Sequence, residues 1–353
     1  MSDALRSYLD FHLDVSRRME HFRNGMLFSA ELEITNACNL SCKYCYASAN
    51  IKKTGLGAET VIDILHAMKR TGLAEVGWIG GEALLVKELH DWMGLAKDLG
   101  LTNVLYTNGL LIDRAQAKIL AGQCSSGRIV MHLDSINYDH WAAGQMRPTT
   151  ANFEKNKNAL LELVDAGYPA DRIVMSIPLS RACYEVIDET MEYFISNGVR
   201  FINLIPLTPL GLSSDKKAFI TPEELWDAMV RRAQALDMPE LIHLGICEYC
   251  KQFQMTDISV NCEGSVLPYV DYFSPVGSVY NDGFEDIVLR NFRELSLSEW
   301  VTPDTMGNRI KGYCGICEHS TWCFGNPVSR EPVILGEPDR DCILVRRHEA
   351  KQK

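Results

Sequence analysis

Between about Leu27 and Leu207 the chain alternates short apolar runs with longer amphipathic stretches, six times over, and few folds satisfy that pattern. The strand-like runs are Phe28–Thr35, Val76–Ile79, Asn103–Thr107, Arg128–Leu133, Arg172–Ile177 and Arg200–Ile205. The helix-like stretches between them are Ala58–Thr71, Leu84–Leu99, Asp113–Ala121, Asn152–Ala166 and Tyr184–Ser196. In "NFEKNKNALLELVDAGY" the apolar Phe153, Leu160, Leu161 and Val164 recur at helical spacing, and Gly167 supplies the helix end. Strands that alternate with helices predict a parallel α/β sheet, either open or curled into part of a barrel. In both arrangements the functional site lies at the carboxyl ends of the strands.

Beyond Thr208 the texture changes. "TPLGLSSDKKAF" reads as a polar linker, and "TPEELWDAMVRRAQAL" as a helix with Thr221 as N-cap and Pro222 in its first turn. From His243 onward cysteine, glycine and short strands dominate, with "DISV" and "SVLPYV" around Asn261–Gly264 forming a small hairpin. The expected organisation is an N-terminal helical extension over 1–27, a core over 28–210, a linker and helix over 211–242, and a small cysteine-rich domain over 243–353.

Composition narrows the function. The 353 residues are 46% hydrophobic, enough for a substantial core, and the net charge of −11 disfavours nucleic acid or an anionic membrane surface as partner. The first twenty residues carry charges throughout, and no run of 18 apolar residues occurs, so a cytoplasmic location is expected. Cytoplasmic thiols stay reduced, so the twelve cysteines point to metal or iron–sulfur ligation rather than disulfides.

Three of them crowd "ITNACNLSCKYCYAS" directly after the first strand: Cys38, Cys42 and Cys45, separated by three residues and then two. A zinc knuckle would normally supply four ligands. Three thiolates on one loop suit a cubane [4Fe–4S] cluster whose fourth iron is left for a small molecule.

Here the sequence resembles the radical S-adenosylmethionine (SAM) superfamily, whose signature is three cysteines at this spacing with an aromatic, here Tyr44, before the third. The resemblance implies a partial (β/α)6 TIM-like barrel and an open iron that chelates SAM. Reductive cleavage then gives a 5′-deoxyadenosyl radical that abstracts a hydrogen atom. "WIGGEALL" resembles the family's Gly-Gly-Glu-Pro segment, with Gly80, Gly81 and Glu82 in place and Ala83 where Pro is usual. The glycines permit close backbone approach, and the carboxylate suits the SAM ammonium. "YTNG" matches the third-strand ending and brings Asn108 toward SAM, although Asn-Gly is also an ordinary turn. "MHLDS" resembles the fourth-strand segment, assigning Asp134 and Ser135 to the SAM ribose or to substrate, with His132 replacing a small polar residue. Arg147 would meet the SAM carboxylate, or else lie on the surface. Ile177 would cover the adenine, or else pack in the core.

"YCGICEHSTWCFG" places Cys314, Cys317 and Cys323 before a later Cys342, resembling the SPASM extension of the superfamily with its auxiliary [4Fe–4S] clusters. One complete auxiliary cluster is expected on those four. A second is expected on Cys247, Cys250 and Cys262, where Pro327 and Tyr269 stand in two places at which the family has cysteine. A zinc ribbon is the plain alternative. Cys124 is expected to pack, and Cys183 either packs or donates a hydrogen atom to a substrate radical.

The implied enzyme is a radical SAM oxidoreductase that oxidises or crosslinks a peptide or small-molecule substrate. Its partners would include a flavodoxin- or ferredoxin-type electron donor and, for a peptide substrate, a separate peptide-recognition protein. Epimerisation or dehydrogenation of a sugar or aminocyclitol is the second reading. A non-catalytic iron–sulfur or zinc scaffold is the third.

Overall fold

The computed structural model describes residues 3–51, 54–207, 211–213, 215–244, 256–267, 275–297, 313, 316 and 343–352. All six expected strands form: β1 (Ser29–Glu33), β2 (Glu75–Ile79), β3 (Thr102–Thr107), β4 (Arg128–His132), β5 (Ile173–Leu179) and β6 (Phe201–Pro206). They pair in parallel and in chain order, as a partial α/β barrel does. The hairpin expected after the core also forms, from β7 (Asp257–Val260) and β8 (Ser265–Leu267). It does not stand apart, because β7 pairs in parallel with β1, Ser29 opposite Asp257. With β9 (Gly277–Ser278) this gives a nine-stranded sheet among the described residues.

The connecting helices arise where the apolar spacing predicts them, and local chemistry sets their ends. The helix α3 (Ala58–Thr71) stops at Gly72, whose left-handed φ of 79° lets its N–H reach Lys69 O and Met68 O. Asp113 caps α5 (Arg114–Gln123) through Gln116 N at 2.8 Å, and Thr149 caps α7 (Thr150–Asp165) through Asn152 N at 3.1 Å. Thr221 and Glu224 form a reciprocal capping box on α10 (Pro222–Ala235). Two stretches expected as single helices are divided. A 3-10 turn at Ala83–Leu85 precedes α4 (Leu89–Asp98), and α8 (Arg181–Glu185) precedes α9 (Ile187–Ser196). A short helix not expected from the sequence, α6 (Tyr138–Ala143), is started by Asn137 accepting from Asp139 N.

Strand alternation separates two cores. Ile129, Met131, Ile173, Met175 and Ile177 face the surrounding helices. Val104, Val130, Val174 and Phe201 face inward and meet Leu5, Leu9 and Leu13 of α1 (Asp3–Leu13), which plugs the amino end of the barrel. A buried ionic cluster completes that base. Arg18, on α2 (Val15–Arg23), reaches Glu75 at 2.6 Å and Asp257 at 2.5 Å, and Arg128 also binds Glu75. The carboxyl end of the barrel is thus left for chemistry. Among the described residues no helix is long and apolar enough to cross a membrane.

Candidate active site

The chain leaving β1 is held by backbone bonds before it reaches the cysteines. Thr35 bridges Gly55, and Asn36 N donates to Thr54 O at 2.9 Å. Asn50, in the left-handed region at φ 67°, accepts from Cys38 N at 2.9 Å and donates to Leu40 O at 3.3 Å, closing the loop on itself. The segment after α6 lies alongside it. Cys42 bridges Gln145, Lys43 N donates to Gly144 O, and Met146 N donates to Ser41 O. From the far side Leu212 N donates to Cys45 O at 2.9 Å.

Cys38, Cys42 and Cys45 are free, half-buried thiols. Two of the sulfurs accept from N–H groups: Cys38 receives Leu40 N at 3.4 Å and the Asn108 side chain at 3.7 Å, and Cys45 receives Ala49 N at 3.4 Å. Gln145 faces Cys42 across the antiparallel bridge, and its side-chain amide works against the rise in thiol pKa that burial causes. Donors aimed at sulfur suit thiolates, whose acceptor capacity exceeds one metal bond. Three free thiols on one loop, with N–H groups directed at sulfur, are a donor set that fits a cubane cluster.

Gly80 and Gly81 are required by the chain itself. A Cβ on Gly81 would lie 2.3 Å from Ala37 O, and one on Gly80 2.5 Å from Thr35 O. Through this contact Gly81 N and Glu82 N bond Thr35 O and Ala37 O, pinning the β2 end to the entrance of the cysteine loop. Glu82 is buried and accepts from Leu84 N, Thr107 Oγ1 and Asn108 N, with burial raising its pKa. A carboxylate has about four acceptor positions, so one remains for a ligand. Asn108 joins the third strand to the loop through Asn39 Oδ1 at 2.7 Å.

The Tyr44 hydroxyl donates to Asp134, tying the cysteine loop to the end of β4. Burial raises the Asp134 pKa to about 7, partly offset by that bond. Ser135 is buried and accepts from Asn137 N at 2.9 Å, which starts the turn into α6. His132 stands open on the inner face, yet the surrounding wall lowers its pKa to about 4. Arg147 is exposed on the segment paired with the loop.

Ile177, read as adenine cover or core packing, is fully buried among the residues that face the helices, together with Met175 and Leu179. Cys183, read as a packed thiol or a hydrogen donor, is 1% exposed and accepts from the Ser180 hydroxyl at 3.1 Å. Cys124 packs in the core as expected. Cys262 is buried at the end of β7, its N–H donating to Glu33 at 3.2 Å and its carbonyl accepting from Thr54 Oγ1 at 3.4 Å. Cys247, Cys250, Cys314, Cys317, Cys323 and Cys342 lie outside the described residues. Gln145 is the contributor that the sequence did not reveal, since only its placement across Cys42 marks it.

Residues 32–191 match the Radical SAM superfamily. The sporulation killing factor maturation protein SkfB of Bacillus subtilis is 23% identical over 291 residues, covering 79% of this chain and 68% of that protein. The mycofactocin maturase MftC of Mycobacterium tuberculosis is 24% identical over 350 residues, covering 93% and 86%. Among solved structures, anSMEcpe with bound AdoMet and the Cp18Cys peptide superposes with a TM-score of 0.68 at 16% identity, covering 92% of this chain and 96% of that one. SuiB of Streptococcus suis bound to the precursor peptide SuiA gives 0.65 at 14% identity, covering 96% and 79%. These two likenesses establish the fold. The family's cofactors are SAM and a [4Fe–4S] cluster, the group that the three-thiol loop fits. Residues 32–191 thus form a radical SAM domain, with its three thiols where the first strand ends.

Proposed function

We propose that this enzyme is a maturase of the SPASM type, which oxidises or crosslinks a ribosomally made peptide by net removal of two electrons. The observation that carries the oxidative reading is the parallel pairing of β7 with β1. It sets Cys262 against Glu33 and Thr54, on the same rim as the Cys38 loop. An auxiliary cluster involving Cys262 would then lie beside the radical site, where it can accept the electron left after hydrogen abstraction. The ligand sets Cys314, Cys317, Cys323, Cys342 and Cys247, Cys250, Cys262 belong to this proposal. A peptide substrate is supported by the named activities of SkfB and MftC.

When bound, SAM and its cluster supply a 5′-deoxyadenosyl radical. The chain's own residues position and exclude. Gly80 and Gly81 let the β2 end lie against the loop, Tyr44 and Asp134 fix the loop to β4, Asn108 donates to the Cys38 sulfur, and Gln145 bridges Cys42.

The test is incubation of the reconstituted enzyme, with SAM and dithionite, with short peptides encoded beside its gene. Loss of two hydrogens by mass spectrometry is expected. An unchanged mass in water together with one deuterium gained in D2O would contradict oxidation and indicate epimerisation. An untouched peptide alongside a modified sugar would overturn the peptide reading.

A further inference from the structure

His132 is the last residue of β4, at the carboxyl end of the barrel. Alternation puts it on the inner face, because Val130, two residues earlier, packs with Val104, Val174 and Phe201 against the α1 plug. The imidazole thus stands one row above that plug, about 7 Å further along the strand. Two residues later Asp134 is tied to the cysteine loop by Tyr44. The backbone of His132 is fixed: it pairs in register with Ser176, and its carbonyl accepts from Asn156 Nδ2 at 2.7 Å. The ring is not. It is exposed, and no hydrogen-bond partner reaches it among the described residues. Its inner-face neighbours are engaged or closed off. Tyr106 donates to Glu31 at 2.9 Å, Asp134 accepts from Tyr44, and Ser176 is fully buried. A packing role would bury the ring and a structural role would bond it; His132 shows neither.

The titratable groups around this face are Glu31 and Glu33 on β1, Tyr106 on β3, and Asp134 with Tyr44 above the end of β4, while β5 and β6 present Ser176 and Asn203. Desolvation by the barrel wall is the cause that lowers the His132 pKa to about 4, so the ring is neutral at pH 7 and able to take a proton. We propose that His132 is a catalytic base, which takes the proton that the substrate releases as it is oxidised. This rests on the oxidative maturase reading above, and it narrows the substrate to a peptide group with an N–H, O–H or S–H that bonds to the carbon being oxidised. That carbon gives its hydrogen atom to the 5′-deoxyadenosyl radical and one electron to an auxiliary iron–sulfur cluster. The heteroatom gives its proton to the imidazole, and its electron pair closes the new bond to the carbon. The substrate thereby loses two hydrogens, and the imidazolium returns its proton to water through the open end of the barrel. Loss of the electron makes the heteroatom proton strongly acidic, so a weak base that stays unprotonated at neutral pH is sufficient.

The first test needs no substrate. Diethyl pyrocarbonate acylates neutral imidazole, and at pH 5 about 3% of an ordinary imidazole is neutral, against about 90% of one with a pKa of about 4. In the full-length reconstituted enzyme at pH 5, peptide mapping should find His132 acylated about fivefold or more faster than N-acetylhistidine in the same solution. His12, which is buried, should stay unmodified. An unmodified His132 would overturn the proposal. The second test uses short peptides encoded beside the gene. His132→Ala and His132→Gln should each slow loss of the two hydrogens about a hundredfold at wild-type iron content. Imidazole should restore oxidation at least tenfold in His132→Ala, where it can occupy the vacated space, and should not accelerate the wild type or His132→Gln. Oxidation at the wild-type rate in both variants, or a slowed His132→Ala that imidazole leaves unchanged, would overturn the proposal. No oxidised peptide from the wild type would instead contradict the maturase reading, while the acylation result still decides whether His132 is an open, neutral base.

Discussion

Gln145 pairs with Cys42 in an antiparallel bridge, and its side-chain amide works to lower the thiol's pKa against the larger effect of burial. An N–H aimed at a cluster thiolate stabilises the more negative, reduced state. Gln145→Leu removes that donor. The lost bond is worth roughly 1 kcal/mol, which for a one-electron couple is a few tens of millivolts toward negative potential. Potentiometric titration followed by EPR should show this shift at unchanged iron content. A potential equal to wild type would deny Gln145 its role.

Gly81 admits no side chain, because its Cβ would meet Ala37 O at 2.3 Å and Asn36 O at 2.8 Å. Gly81→Ala must therefore push the β2 end off the cysteine loop. Reconstituted Gly81→Ala should lose the N-terminal cluster and with it SAM cleavage. Gly94→Ala on α4 meets nothing within 4 Å and should behave as wild type, or gain about 0.5–1 kcal/mol. Equal iron incorporation by the two variants would contradict this assignment.

Glu75 is buried and neutralises two buried guanidiniums, Arg18 and Arg128, beneath the barrel. Glu75→Gln leaves those charges under-compensated, and breaking a buried pair in this way costs about 3–5 kcal/mol. Chemical unfolding of the cluster-free protein should show a loss of that size. A change under about 1 kcal/mol would indicate that Asp257, on Arg18, and Asp14, on Arg128, suffice to balance the pair.

His12 is buried beside Tyr8 and Phe201, and burial, then the charges of Arg128 and Arg172, lower its pKa to about 3. The unfolded chain protonates this histidine near pH 6.5, so between about pH 6.5 and about 3 the unfolded state holds the extra proton. Stability therefore falls with pH through that window and receives no such penalty above it. The loss at pH 5 is about 2 kcal/mol relative to pH 7. His12→Phe should flatten the change in urea midpoint between those two pH values. An unchanged slope would contradict a neutral buried imidazole.

The parts of the fold that were legible in the sequence are those written in local periodicity. The six apolar runs became β1 to β6, and the cysteine loop falls at the carboxyl end of β1. The pairing of Ser29 with Asp257 was not legible, because a parallel contact between distant segments leaves no turn signal in either. Alternation also shows which residues share a face without saying which face is inward. Ile177 thus carried two readings, adenine cover or core packing, and it lies on the helix side of the sheet. Gln145 sits in "AGQMR", where nothing local sets it apart, and only its bridge to Cys42 reveals it.

The most direct measurement of the central claim is 5′-deoxyadenosine formed from SAM and dithionite by the anaerobically reconstituted chain, beside a variant with Cys38, Cys42 and Cys45 changed to alanine. The expected result is nucleoside from the wild type, none from the variant, and loss of about four irons per chain in the variant. Nucleoside from the triple variant, or none from a fully iron-loaded wild type, would contradict it.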